Sequence, residues 1–164
     1  VLQALAAVVQ SHPVDAWRVR VLLQPDGQCT AQAFALADTA VPVTLQLADR
    51  PLKEAHGEFV RFKTTRRAHY DAFTPSDPAV FDTILFNLQG EVTECTRGNI
   101  AFLVDGQWVT PPLSCGMLPG VGREVLLAQG RLKEQVVRVE HLPHVQGMAF
   151  INSLRGWLDA RLYS

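Results

Sequence analysis

Lys63 follows Phe59, Val60 and Phe62 and precedes Arg66 and Arg67. A lysine attacks an aldehyde only as the free amine. Removal from water and a neighbouring cation both favour that form. The apolar residues offer the first influence and the arginines the second. The same stretch also fits a solvated basic edge, and its local sequence does not separate the two readings.

Glu94 lies in the segment TECTRGN (93–99), at the end of an alternating strand pattern. An isolated glutamate there is ordinarily at the surface. If buried, it needs a cationic partner or takes up a proton. A protonated pyridine nitrogen would be such a partner, and cofactor chemistry of the pyridoxal type wants an acidic group at that atom. Residues 114–123, SCGMLPGVGR, are rich in glycine and run into a helical pattern. Free N–H groups at such a helix start suit a phosphate, although glycine there also serves plain turn geometry. The Gly-Lys-Ser/Thr ending of a nucleotide loop is absent. Asn152 and Ser153 follow the apolar run Met148–Ile151. Polar groups at the end of a buried strand contact ligands, or they cap a turn.

Other chemistry finds less support. His141 and His144 flank Pro143, which breaks any helix that would align them, so no metal site is expected. A Gly-x-Ser-x-Gly nucleophile elbow is absent. Cys29, Cys95 and Cys115 are odd in number and lack metal-type spacing, which argues against a disulfide framework. Cys95 and Cys115 read as small buried apolar residues.

The elements that must position these residues are mostly strands. Val1–Ser11 reads as a helix stopped by His12-Pro13. Ala16–Leu23 and Cys29–Leu36 read as a hairpin around Pro25-Asp26-Gly27. Val41–Leu47 alternates, Ala48–Glu58 is loop-like, and Phe59–Thr64 alternates again before a helical segment, Arg66–Phe73. Thr83–Leu88 and Glu91–Cys95 are strands about Gln89-Gly90. Asn99–Val104 and Gln107–Thr110 form a hairpin at Asp105-Gly106. Gly122–Gln129 is a helix closed by Gly130. Val136–Val139 and Met148–Asn152 are strands, and Leu154–Leu162 is a tail. The expected fold class is α+β, a strand-rich sheet curled toward a barrel, with a few helices.

The 164 residues fit one domain, 1–164, and 48% of them are apolar. A formal net charge of −1 argues against a nucleic acid or an anionic membrane as partner. A small-molecule substrate and a cytoplasmic location are the expectations. The apolar opening VLQALAAVV (1–9) reads like the end of something begun upstream, so residues 1–12 are expected to be the tail of an N-terminal part.

In order along the chain, FKTTRRAHYD (62–71), EVTECTRGNI (91–100) and TPPLSCGMLPGVGR (110–123) resemble the class IV aminotransferase family of pyridoxal-phosphate enzymes. The aminodeoxychorismate lyase branch is the nearest in pattern, and NSLRGW (152–157) resembles that branch too. The likeness runs from about Ala16 to the end.

The resemblance implies a fold like the large C-terminal domain of these enzymes and pyridoxal 5′-phosphate as cofactor. It places Lys63 on the Schiff-base lysine and Glu94 on the carboxylate that pairs with the pyridine nitrogen. Leu118 falls on an apolar contact to the ring, Val121 and Gly122 on the phosphate cup, and Asn152 and Ser153 on the last loop around the cofactor. Many relatives carry Thr or Ser where Gly122 stands, which removes a hydroxyl contact and leaves backbone donors.

The implied activity is conversion of 4-amino-4-deoxychorismate to 4-aminobenzoate and pyruvate, a step of folate biosynthesis. A transaminase acting on a D- or branched-chain amino acid and a non-catalytic fragment are the alternatives. The family's usual state is a homodimer, and the branch includes forms fused to a chorismate-using synthase component. Its smaller N-terminal domain, which supplies an arginine to the phosphate and much of the substrate pocket, has no room before Ala16.

Overall fold

The structure is a computed structural model that describes residues 1–163. By its contacts the chain, read from sequence as one domain, divides into two compact units, the first spanning Val1–Thr39 and the second beginning at Ala40.

The first unit holds helix α1 (Leu2–Ser11) and strands β1 (Trp17–Leu23) and β2 (Cys29–Ala35). The strands pair antiparallel from Trp17↔Ala35 to Leu23↔Cys29. The turn between them needs a residue in the left-handed region, and Gly27 supplies it at φ 85°. Helix α1 buries none of its side chains.

The second unit is built on an eight-stranded mixed sheet. Its strands are β3 (Val43–Leu47), β4 (Asp82–Phe86), β5 (Val92–Cys95), β6 (Asn99–Val104), β7 (Gln107–Thr110), β8 (Lys133–Glu134), β9 (Gly147–Asn152) and β10 (Gly156–Leu162). They lie in the order β5-β4-β3-β10-β9-β6-β7-β8. The helices are short: α2 (Glu58–Arg61), α3 (Ala68–Asp71) and α4 (Val121–Ala128), with 3-10 turns at Leu113–Cys115 and Val139–His144. This is the α+β, strand-rich curled sheet with few helices that the sequence leads one to expect.

Successive strand residues face opposite sides, so each strand feeds two cores. Ile84, Ile100, Phe102 and Phe150 are buried on one face with Leu45 and Val92. Their neighbours point the other way. Leu85 joins Leu52, Val60, Tyr70 and Phe73, and Ala101 and Ile151 meet Leu126 of α4. Each such large side chain removed from water contributes about 1.5–3 kcal/mol. The two smaller cores anchor α2 and α3, which flank Lys63, and α4, which carries Gly122.

Three local expectations are corrected. Phe59–Thr64 is not a strand: Glu58–Arg61 forms one helical turn, and its only buried side chain is Val60. Val136–Val139 is not a strand either. Arg138 makes a single bridge to Glu91, Val139 opens a 3-10 turn, and the edge strand is Lys133–Glu134. The supposed tail at Leu154–Leu162 contains β10, which lies inside the sheet between β3 and β9. It pairs parallel with β3 at Ala160↔Val43 and antiparallel with β9 at Trp157↔Ile151.

Candidate active site

The centre of the site is a carboxyl group removed from water. Glu94 sits on β5, and only 3% of it is exposed. Its Oε1 accepts a hydrogen bond from the Tyr70 hydroxyl at 2.6 Å and another from the Leu118 backbone N–H at 3.2 Å. Burial pushes the Glu94 carboxyl up to about 8, against the two hydrogen bonds and the charges of Lys63 and Arg67, which pull it down. Burial, reinforced by Glu94, holds the Tyr70 hydroxyl above its usual range, so it remains a neutral donor.

Strand β5 is held at both ends of the turn that follows it. Asp82 on β4 is fully buried. Its Oδ1 accepts from the Thr96 N–H (3.2 Å) and hydroxyl (2.6 Å), and its Oδ2 accepts from the Arg97 N–H (3.1 Å). The residue after that turn, Gly98, has no room for a side chain: a β-carbon would lie 2.5 Å from Phe150 Cζ.

Lys63 lies in the loop between α2 and α3 and is exposed. It lines a cleft with Phe59, Val60, Arg67, Tyr70 and Leu118. Of the three apolar neighbours read from the sequence, Val60 is buried, while Phe59 and Phe62 are 37% and 60% exposed. Arg66 stacks on the Phe59 ring at 4.9 Å. Arg67 lies over the Tyr70 ring, also at 4.9 Å, and donates to Thr96 O at 2.7 Å. Lys63 and Leu118 thus line one cleft, and Glu94 lies behind its wall, bonded to two of the lining residues, Tyr70 and Leu118.

Val121, Gly122 and Asn152 form a second group. The first ladder bond of α4 runs from the Glu124 N–H to Gly120 O at 3.0 Å, which leaves the N–H groups of residues 121–123 outside the ladder. No side chain caps this end, and Val121 is 68% exposed. A β-carbon on Gly122 would lie 3.3 Å from the Asn152 carbonyl carbon, so the first turn of α4 rests on the end of β9. Asn152 Oδ1 accepts from the N–H groups of Leu154 (3.1 Å) and Arg155 (2.8 Å), which fixes the turn carrying the exposed Ser153. The Lys63 cleft is not lined by Asn152 or Ser153. The two groups are joined by the loop from Leu118 to Gly120.

Sequence reasoning did not single out Tyr70 or Asn99, and it read Arg67 only as a cation near Lys63. Tyr70 and Arg67 lie inside the motif FKTTRRAHYD, but pairing across 24 residues leaves no periodic signal. Asn99 is buried and donates to Leu118 O at 3.0 Å, so it holds the joining loop. Among the described residues no three His, Cys, Asp or Glu side chains gather as a metal site, and no helix is long and apolar enough to cross a membrane.

The model of the family Amino-transferase class IV matches residues 1–163, and the chain belongs to that family. The family's enzymes depend on pyridoxal phosphate. The chain is 34% identical over 146 residues, 84% of its length, to a protein of Schizosaccharomyces pombe named "Putative aminodeoxychorismate lyase". That match spans 63% of the yeast protein. A Mesorhizobium loti structure named "Putative amino-acid aminotransferase" superposes with a TM-score of 0.91 at 32% identity, covering 99% of this chain and 80% of that one. A Legionella pneumophila structure named "Putative 4-amino-4-deoxychorismate lyase" superposes with a TM-score of 0.84 over 98% of this chain and 66% of that one. At 18% identity it shows the shared fold.

Proposed function

We propose that this chain is the cofactor-binding part of a pyridoxal-phosphate lyase that converts 4-amino-4-deoxychorismate to 4-aminobenzoate and pyruvate. The observation that carries the reading is the Glu94 carboxyl, buried and held up to about 8, beside the Lys63 cleft. A carboxyl so short of compensating charge fits a cationic ring nitrogen, which supplies the missing partner. The uncapped start of α4 fits a phosphate, since its free N–H groups and helix dipole favour an anion. The likeness to the yeast protein supports the lyase branch.

In this reading Glu94 keeps a proton on the ring nitrogen. Leu118 would lie against the ring, and the backbone N–H groups of Val121 and Gly122 would donate to the phosphate. Asn152 and Ser153, at the end of β9 beside the start of α4, would complete the cofactor's contacts. The bound cofactor supplies an electron sink for negative charge developing beside the substrate nitrogen. Lys63 would hold the cofactor between turnovers. During turnover its Nζ takes the proton from the carbon bearing the substrate nitrogen. Loss of the enolpyruvyl group as pyruvate leaves an aromatic ring, and Lys63 returns the proton. A lysine amine suits both roles because it accepts a proton as the free base and returns it as the ammonium.

A second reading, a transaminase of amino acids, is favoured by the 32% identity to the Mesorhizobium loti protein. It uses the same lysine and carboxylate and differs in product.

The test is to mix the chain with pyridoxal phosphate, reduce with borohydride and map the adduct by mass spectrometry. A pyridoxyl group on Lys63 alone is expected, and Lys63→Ala should abolish both adduct and turnover. Release of 4-aminobenzoate rather than a keto acid selects the lyase. Labelling scattered over surface lysines, or normal turnover in Lys63→Ala, would sink the assignment.

A further inference from the structure

We infer that Tyr70, held in place by Arg67, is the positioning residue that sets the orientation and the proton state of Glu94. The inference deepens the proposed function and rests on its reading of Glu94 as the partner of the cofactor ring.

Three contacts in series carry it. Arg67 Nη2 is tied to the Thr96 carbonyl at 2.7 Å, in the turn just after β5. The same guanidinium lies 4.9 Å over the Tyr70 ring, which fixes the ring's plane. The Tyr70 hydroxyl then donates to Glu94 Oε1 at 2.6 Å, within the short range of bonds to an ionised acceptor. Tyr70 is 6% and Glu94 3% exposed, so no water competes freely for that oxygen. The relay starts and ends on one strand and its turn, which makes it a closed clamp: Thr96 to Arg67 to Tyr70 to Glu94.

The chemistry follows from who donates. Glu94 must be ionised to hold a proton on a ring nitrogen, yet burial favours its neutral form. The groups that oppose burial are the Tyr70 hydroxyl, the Leu118 N–H, and the charges of Lys63 and Arg67. Cys95, the next residue on β5, stays a neutral thiol, its proton held mainly by burial. Leu118 and Lys63 belong to the cofactor contacts themselves. Of the groups outside the proposed cofactor contacts, Tyr70 and Arg67 are the ones that oppose burial, and the Tyr70 hydrogen bond opposes it most. Tyr70 bonds Oε1 directly, and Arg67 acts on it through the Tyr70 ring.

The test reads Glu94 directly. Protein labelled with ¹³C at the glutamate carboxyl is titrated without cofactor, with Glu94→Gln identifying the signal. Tyr70→Phe keeps the ring and its packing and removes only the donor. Its Glu94 midpoint is expected to rise by about one pH unit, with cofactor binding at neutral pH weakened about tenfold. Arg67→Gln should move the midpoint the same way even if Tyr70→Phe folds poorly. A midpoint that stays or falls in both variants overturns the inference. Because the titration uses no cofactor, a failed Lys63 adduct removes the functional reading and leaves the Tyr70 result standing on its own.

Discussion

A β-carbon on Gly120 would lie 2.1 Å from Asn99 Oδ1. Asn99 cannot simply swing aside, because it is buried and its Nδ2 holds Leu118 O at 3.0 Å. Gly120→Ala should therefore push the loop, break that hydrogen bond and disturb the Leu118 N–H that serves Glu94. The expected cost is about 1–3 kcal/mol of stability, as for overpacking elsewhere. Cofactor binding should weaken beyond what the melting temperature alone implies. Thermal melts beside a pyridoxal phosphate titration check this, and a variant with native affinity would show that the loop does not position the site.

Asp82 makes a comparable claim on the turn after β5. Its carboxylate is fully buried and accepts from Thr96 and Arg97. Asp82→Ala leaves those donors without an acceptor, at a cost of roughly 3 kcal/mol. Urea unfolding should show a lower midpoint with an unchanged slope. A loss below about 0.5 kcal/mol would mean that water replaces the carboxylate, and the turn is then not its work.

Local turn chemistry is what made much of the fold legible. Asp105-Gly106 announced the β6–β7 hairpin, and the two residues sit at φ 49° and 74° as that tight turn requires. Gly130, at φ 68°, stands where α4 ends. The misreadings have equally local causes. Phe59–Thr64 alternates over too few residues to tell a strand from one helical turn, and only burial of Val60 decides it. In β10 the alternation of Leu158, Ala160 and Leu162 is short and interleaved with charged Asp159 and Arg161, so it carries a weak strand signal. Its place beside β3 comes from pairing across more than a hundred positions, which no window of sequence carries. The site follows the same division. Motif order pointed to Lys63 and Glu94, but the Tyr70 and Asn99 contacts exist only after the sheet has formed.

The thiols should behave differently from one another. Burial holds Cys95 well above its usual value and pushes Cys115 up to about 11, with Glu91 adding to the latter. Both are 1% exposed, whereas Cys29 on β2 is half-buried. A disulfide reagent at pH 8 should titrate one thiol quickly in the folded chain and all three in denaturant. A second fast thiol would mean that β5 or the turn before α4 opens readily, and the buried setting of Glu94 could not then be maintained.

Glu94 should make the cofactor-free chain less stable as pH rises. In the unfolded chain its carboxyl ionises near 4.5, and in the fold burial holds it up to about 8. Below the lower value both states keep the proton and the group contributes no difference. Between the two, the unfolded chain has released a proton that the fold retains, so each pH unit costs the fold about 1.4 kcal/mol. Above about 8 both are ionised and the penalty stays constant. Glu94→Gln keeps an oxygen for the Tyr70 hydroxyl and removes the ionisation. The variant should be more stable than its parent at pH 8, and the gap should close on acidification toward pH 4.5. It should also hold pyridoxal phosphate more weakly, because a neutral amide cannot keep a proton on the ring nitrogen. A gain in stability joined to a loss of binding is the mark of a residue placed for function against the preference of the fold. Melts at the two pH values decide it. A variant less stable than its parent at pH 8 would mean that Glu94 is already paired in the cofactor-free chain and leaves no charge for a cofactor to complete.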